Sequence, residues 1–170
     1  LAVTEADGNP RAIFQAQLTA TMLDISEGDA ASAGNRITII DGLQGGWERS
    51  GDHPPQIVAL VEVAKAGVAR LHKDFGGAEV HLRLAADAAM RSQDQPVVGQ
   101  VAMAVAGYAL DRGDIALAVR AVDLATSLSG AYDSTAPEVI AIVAAADKAG
   151  IGRPRTDLPE RPMAVESLSE

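Results

Sequence analysis

The chain has 170 residues, 48% of them hydrophobic, 22% charged and 3% aromatic, with a net charge of −9 and no cysteine. That length supports one domain with a real core, and the missing thiols exclude disulfides, thiolate metal sites and a cysteine nucleophile. The acidic balance, with a pI of about 4.7, sets the chain alone against nucleic-acid backbones, and no apolar run reaches the ~18 residues of a membrane-spanning helix.

Alanine is frequent, and segments dense in Val, Ile, Thr and aromatics are few. Alanine has the best helix propensity and lets backbones approach, so an all-α fold is expected. Leu1 to Gly8 reads as a loose entry without the basic start or apolar core of a signal peptide. The lack of an initial Met is what a piece of a longer protein, or a processed one, would show. Asn9-Pro10 is a helix start. The first helix runs through Arg11 to about Glu27 on Ile13, Ala16, Gln17, Ala20 and Leu23, with Phe14, Leu18 and Met22 widening its stripe.

Gly28-Asp29 ends that helix and caps the next, from Ala30 to about Leu43; the β-branched Ile37, Ile39 and Ile40 would also suit a short strand, but length and the Ala-rich start favour helix. Gly45 to Asp52 is expected to be a loop, with Trp47 folded over a hairpin end or, in a sharper reading, offering a ligand platform. His53-Pro54-Pro55 opens a third helix to about Asp74, and Phe75-Gly76-Gly77 reads as the second turn. Ala78 to Arg91 is a fourth helix, with Val80, Leu84 and Ala88 on one face. A polar link, Ser92 to Gln95, leads to a fifth helix starting at Pro96. Gly113-Asp114 turns the chain into a sixth, striped by Ile115, Ala118, Val119, Val122 and Ala125. The last helix spans Glu138 to about Ala149, stopped by Gly150, Gly152 and Pro154. Residues 1–150 thus form a helical domain, and 151–170 a Pro-rich, charged tail.

The turns at Gly28-Asp29, Gly76-Gly77 and Gly113-Asp114 stand 48 and then 37 residues apart. A helix-turn-helix unit recurring at such spacing is the mark of helical repeat arrays, because one hairpin cannot bury its apolar face alone. A plain helical bundle with glycine in its turns is the simpler alternative.

In this frame the chain resembles the tetratricopeptide repeat (TPR). Gly113-Asp114 falls on that family's inter-helix Gly-Asp, with Ala106, Ala118 and Ala125 on its small positions. Gly28-Asp29 gives Ala33 correctly but Ile40 where Ala is usual, and Gly76-Gly77 matches loosely. The family's early aromatic and closing Pro are absent from residues 94–130. The resemblance implies a TPR-like antiparallel α-α superhelix of about seven helices. A narrower resemblance lies in Leu128-Ser129-Gly130, Asp133 and Pro137-Glu138-Val139, behind an Ala-rich Gly-Asp hairpin. It is similar to the C-terminal helical region of large actinobacterial transcriptional regulators of the SARP (AfsR-like) and LuxR-type groups. In those proteins DNA binding and nucleotide hydrolysis lie in other domains, and this chain carries neither a Gly-x-x-x-x-Gly-Lys-Ser/Thr loop nor a basic recognition helix.

Chemistry is thinly signalled. His53, His72 and His81 would need carboxylates such as Asp74 or Glu79 to hold a metal, and capping or exposed histidines are the plainer reading. Glu62 with Asp87, and Asp111 with Asp114, are acid–base candidates by residue type alone. There is no Gly-x-Ser-x-Gly elbow, and Gly76-Gly77 without a lysine is a turn before it is a phosphate loop. The resulting expectation is a non-enzymatic protein-interaction or regulatory domain of a cytoplasmic multidomain regulator, without metal or cofactor. Its partner would be a protein or peptide, basic or amphipathic if the groove is acidic, or another domain of the same regulator; a homodimer is possible. The groove candidates on the first helix of each pair are Gln17, Thr21, Glu62, Lys65, Gln100 and Met103. The alternative is a small-molecule-sensing bundle, with Trp47, Met103 and Tyr108 around an enclosed cavity.

Overall fold

The places where the chain reverses organise the molecule. A computed structural model describes residues 10–47, 54–129 and 133–155. It is all-helical: α1 (Pro10–Glu27), α2 (Ala30–Trp47), α3 (Pro55–Leu71), α4 (Phe75–Ser92), α5 (Gln95–Asp111), α6 (Ile115–Ser129) and α7 (Pro137–Ala149). Among the described residues there is no strand.

Three reversals, α1 to α2, α3 to α4 and α5 to α6, are built alike. Each uses one residue in the left-handed region followed by an aspartate: Gly28 (φ 78) with Asp29, Lys73 (φ 60) with Asp74, and Gly113 (φ 76) with Asp114. The left-handed residue's N–H donates three residues back, to Ile25, Arg70 and Leu110. The aspartate N–H donates five back, to Asp24, Ala69 and Ala109, at 2.8, 2.9 and 2.9 Å. These two bonds satisfy carbonyls that a helix end leaves open. The aspartate carboxylate then accepts the N–H of Ser32, Gly77 or Leu117, at 3.0, 2.9 and 2.9 Å, and so starts the next helix.

This corrects the second turn, expected at Gly76-Gly77. The reversal lies at Lys73-Asp74, and Phe75, Gly76 and Gly77 form the first turn of α4. A Cβ on Gly77 would run into the Asp74 carboxylate, so glycine there serves the cap rather than the reversal. The second helix also runs further than expected, through Gly45 and Gly46 to Trp47. The rest of the expected loop, the side chain of Trp47 and His53 lie outside the described residues.

Counted from the capping aspartates, the hairpins superimpose in sequence. Four residues after each stands a buried alanine, Ala33, Ala78 or Ala118; eight before stand buried Thr21, Ala66 and Ala106. Twelve before and seven after, Gln17 faces Arg36, with Nη1 donating to Oε1 at 3.1 Å, and Glu62 faces His81 at 2.7 Å. The third hairpin has Ala102 and Ala121 there, both buried. The repeat therefore survives a change from polar crossbar to small apolar contact.

Within each hairpin the two helices pack along their length, and successive hairpins join through α2 to α3 and α4 to α5. The alternate helices α1, α3 and α5 also touch in turn, whereas α2, α4 and α6 make no comparable contact with one another. Three apolar clusters follow: Phe14, Leu18, Ile40, Val61 and Ala64 across α1–α3; Ala59, Val63, Ala85, Ala88 and Val97 across α3–α5; and Ala106, Val122, Val139, Ile142 and Ala146 across α5–α7. After α7 the chain turns at Gly150 and lies back on α6. Pro154 is buried, and the Arg155 N–H donates to Asp123 Oδ1 at 2.6 Å.

Candidate functional site

Because α1, α3 and α5 lie side by side, their shared face forms a part-open cleft of about 610 Å³. Met22 and Ile25 of α1, Val63 and Ala66 of α3, and Met103 and Ala104 of α5 supply apolar lining. The ends of α6 and α7 close the far side through Ala125, Ser129 and Pro137.

Glycine makes room for this arrangement at three places. A Cβ on Gly67 would stand 2.8 Å from Ile25 Cδ1, and one on Gly99 would stand 2.7 Å from Ser129 Oγ. On Gly107 it would collide with the Arg70 guanidinium and the Glu138 carboxylate. Gly67 and Gly107 each lie seven residues before a capping aspartate, so the same opening recurs in two hairpins. The missing side chains let α1 seat on α3 and let Arg70 pass over α5.

Arg70 is the main charged group of the cleft. Its Nε donates to Asp111 Oδ2 and its Nη2 to Glu138 Oε1, both at 2.9 Å, so one side chain joins α3, α5 and α7. Burial by itself would lower its pKa, but Glu138 and Asp111 outweigh that and hold it above the ordinary arginine value. Lys73 stands at the rim, held there by its left-handed backbone. Two cations, Arg70 and Lys73, thus face two carboxylates, Asp111 and Glu138, and the acidic groove that the net charge suggests is not present. The cleft is apolar and nearly balanced in charge.

Of the residues expected to line a groove, Gln100 and Met103 do. Gln17 and Thr21 do not: both are buried, the Thr21 hydroxyl donating to the Gln17 carbonyl at 2.8 Å. Their partners lie inside the first hairpin. Glu62 and Lys65 belong to a separate ionic cluster. Lys65 Nζ lies 2.9 Å from Asp41 and 3.4 Å from Glu62, which also holds His81. Burial opposes the Lys65 charge, yet Asp41 and Glu62 raise its pKa. This cluster ties α2, α3 and α4 together.

Tyr108 is not among the cleft-lining residues. Its ring meets Phe75 edge-on at 6.3 Å, and the Arg112 guanidinium sits 5.5 Å from the centre of the same Phe75 ring. Asp111 is spent on Arg70 and Asp114 on its cap. Among the described residues no three His, Asp or Glu side chains group to hold a metal ion, and no helix is long and apolar enough to cross a membrane. Gly107, with Ala102 and Ala106, reads from the sequence as a small residue for close packing, whereas Arg70, Gly67 and Gly99 are not singled out there; the spacing of Gly67 before Asp74, the same as that of Gly107 before Asp114, is the signal that points to one of them.

The fold and cleft define a class, an all-helical chain of stacked hairpins with an apolar face shared by alternate helices. No family model matches the chain, and neither does any curated protein or solved structure.

Proposed function

We propose that this chain is a non-enzymatic protein-interaction and regulatory domain of a multidomain transcriptional regulator. In this reading the stack is a TPR-like superhelix in a cytoplasmic protein. The cleft carries the proposal: an apolar, charge-balanced surface built by the first helix of successive hairpins and open along one side. The capping-aspartate register supports the likeness, since Ala66, Ala78 and Ala85 of the second hairpin fall on the small positions that Ala106, Ala118 and Ala125 occupy in the third. The partner that fits is a helical segment offering one or two large apolar side chains, from another protein or another domain of the same regulator. With Arg70 neutralised by two carboxylates, a strongly basic peptide gains little here.

Isothermal titration against the domains of the parent regulator tests this. Gln100 is exposed at the cleft, so Gln100→Trp fills it without disturbing the core. Binding weakened at least about tenfold by that change supports the reading. If none of those domains binds the wild-type chain, the reading fails.

One observation favours a second reading, a small-molecule-sensing bundle. The cleft volume of about 610 Å³ lies within the roughly 300–1,000 Å³ of small-ligand sites. An apolar small molecule that raises the melting temperature of the wild type, but not of Gln100→Trp, in a chain that binds no protein domain would select this alternative.

A further inference from the structure

Beyond the cleft, the outer face of α4 is unlike its neighbours. Val80, Leu84 and Met90 are 57%, 48% and 69% exposed, three large apolar side chains on one helix. Val80, Arg83, Asp87 and Met90 follow one another at intervals of three, four and three residues, the spacing of a seam along which a helix packs against another. All four are exposed. The Asp87 side chain makes no hydrogen bond or ion pair among the described residues. Among the described residues Arg83 meets only Glu79, one turn away and also exposed, a pair of little energetic weight.

We infer that this face is a self-association surface, on which α4 pairs antiparallel with α4 of a second copy of the chain. The charge pattern chooses this occupant. With a two-fold axis near residue 85, Val80 of one copy meets Met90 of the other, and Arg83 meets Asp87. Symmetry makes each contact twice, as an isologous interface requires. The two central layers are ion pairs, the two outer layers are apolar, and the two Leu84 side chains cover one flank. The parallel arrangement would set Arg83 against Arg83 and Asp87 against Asp87, so the same residues disfavour it.

The neighbouring hairpins carry an exposed apolar residue in the same register. Ile39 on α2 and Leu124 on α6 stand ten residues after their capping aspartates, as Leu84 does, and are 44% and 49% exposed. One helix pair alone falls short of the about 1,200 Å² that a stable interface buries, so the association is expected to be weak, in the micromolar range.

Sedimentation equilibrium of the full chain from about 1 µM to about 1 mM is expected to show the 17.5 kDa monomer passing to a dimer. Asp87→Arg, and separately Arg83→Asp, are each expected to weaken the dimer at least about tenfold. The double charge swap restores it. All of these positions are exposed, and circular dichroism confirms that the variants stay helical. The chain has no cysteine of its own, so a mixture of Val80→Cys and Met90→Cys chains reports orientation: the mixed disulfide is expected to form ahead of either homodisulfide. A chain that remains monomeric at about 1 mM overturns the inference. So does a dimer indifferent to Asp87→Arg, and so does preferential homodisulfide formation by Val80→Cys.

Discussion

Lys73 and Gly113 occupy the same place in their hairpins at different conformational cost. Both hold a left-handed backbone, at φ 60 and φ 76, where a Cβ crowds the following carbonyl. Lys73→Gly is therefore expected to raise stability by about 0.5–1 kcal/mol, and Gly113→Ala to lower it by about 1 kcal/mol, read from urea unfolding midpoints. Gly107 is needed for a different reason. It has a helical backbone, and what stands beside it is the Arg70–Glu138 pair. Gly107→Ala breaks that pair and leaves a half-buried guanidinium short of a partner, at an expected cost of about 2 kcal/mol. Gly34→Ala is the control: no atom lies within 4 Å of the added methyl, so helix propensity alone acts and stability rises by up to about 1 kcal/mol.

At the scale of elements, each hairpin depends on its capping aspartate. Asp114→Ala removes the bond to the Leu117 N–H and is expected to lose about 1 kcal/mol, with fraying at the start of α6. Asp29 adds a pH signature. The N–H and hydroxyl of Ser32 hold its carboxyl below the ordinary value of 3.8, the Thr135 hydroxyl does the same for Asp133, and Arg153 for Asp147. A carboxyl depressed in the folded state binds its proton more readily when unfolded. Its stabilisation is present above the unfolded value and is lost as pH falls through the folded one. The melting temperature is thus expected to hold from pH 7 to pH 5 and to drop below about pH 4. Asp29→Asn keeps a capping oxygen without the charge, and a smaller drop in that variant is the check.

The whole molecule is a stack in which each apolar cluster lies between neighbouring helices, so stability is passed along the array rather than gathered at one centre. Arg70 is the exception, reaching from α3 across α5 to α7. Glu138→Ala should therefore loosen the end of the stack selectively. Amide hydrogen exchange is expected to quicken in α7 and at the adjoining wall of the cleft, while α1 and α2 keep wild-type protection. Uniform quickening along the chain would show that Arg70 does not act as a local strap.

The amino-acid sequence by itself determined the helical class and the positions of most helices. Those follow from local chemistry: Pro and Asp starts, Gly-Asp reversals, and apolar residues returning every three or four positions. It did not locate the second reversal, because Gly76-Gly77 is the stronger local signal and Lys73 is an ordinary helix former. Only the assembled helix end, with Asp74 bonded both backward to Ala69 and forward to Gly77, shows that Lys73 takes the left-handed place. The polar character of Gln17 and Thr21 pointed to a surface, yet partners on their own hairpin take them inside. Arg70, half-hidden and joined to residues 41 and 68 positions away, carries no local mark of its role. The tertiary structure decided the cleft for the same reason: a surface shared by α1, α3 and α5 depends on how closely the helices approach, and side chains are absent where α1 seats on α3, at Gly67, where Arg70 of α3 passes over α5, at Gly107, and where α6 closes on α5, at Gly99.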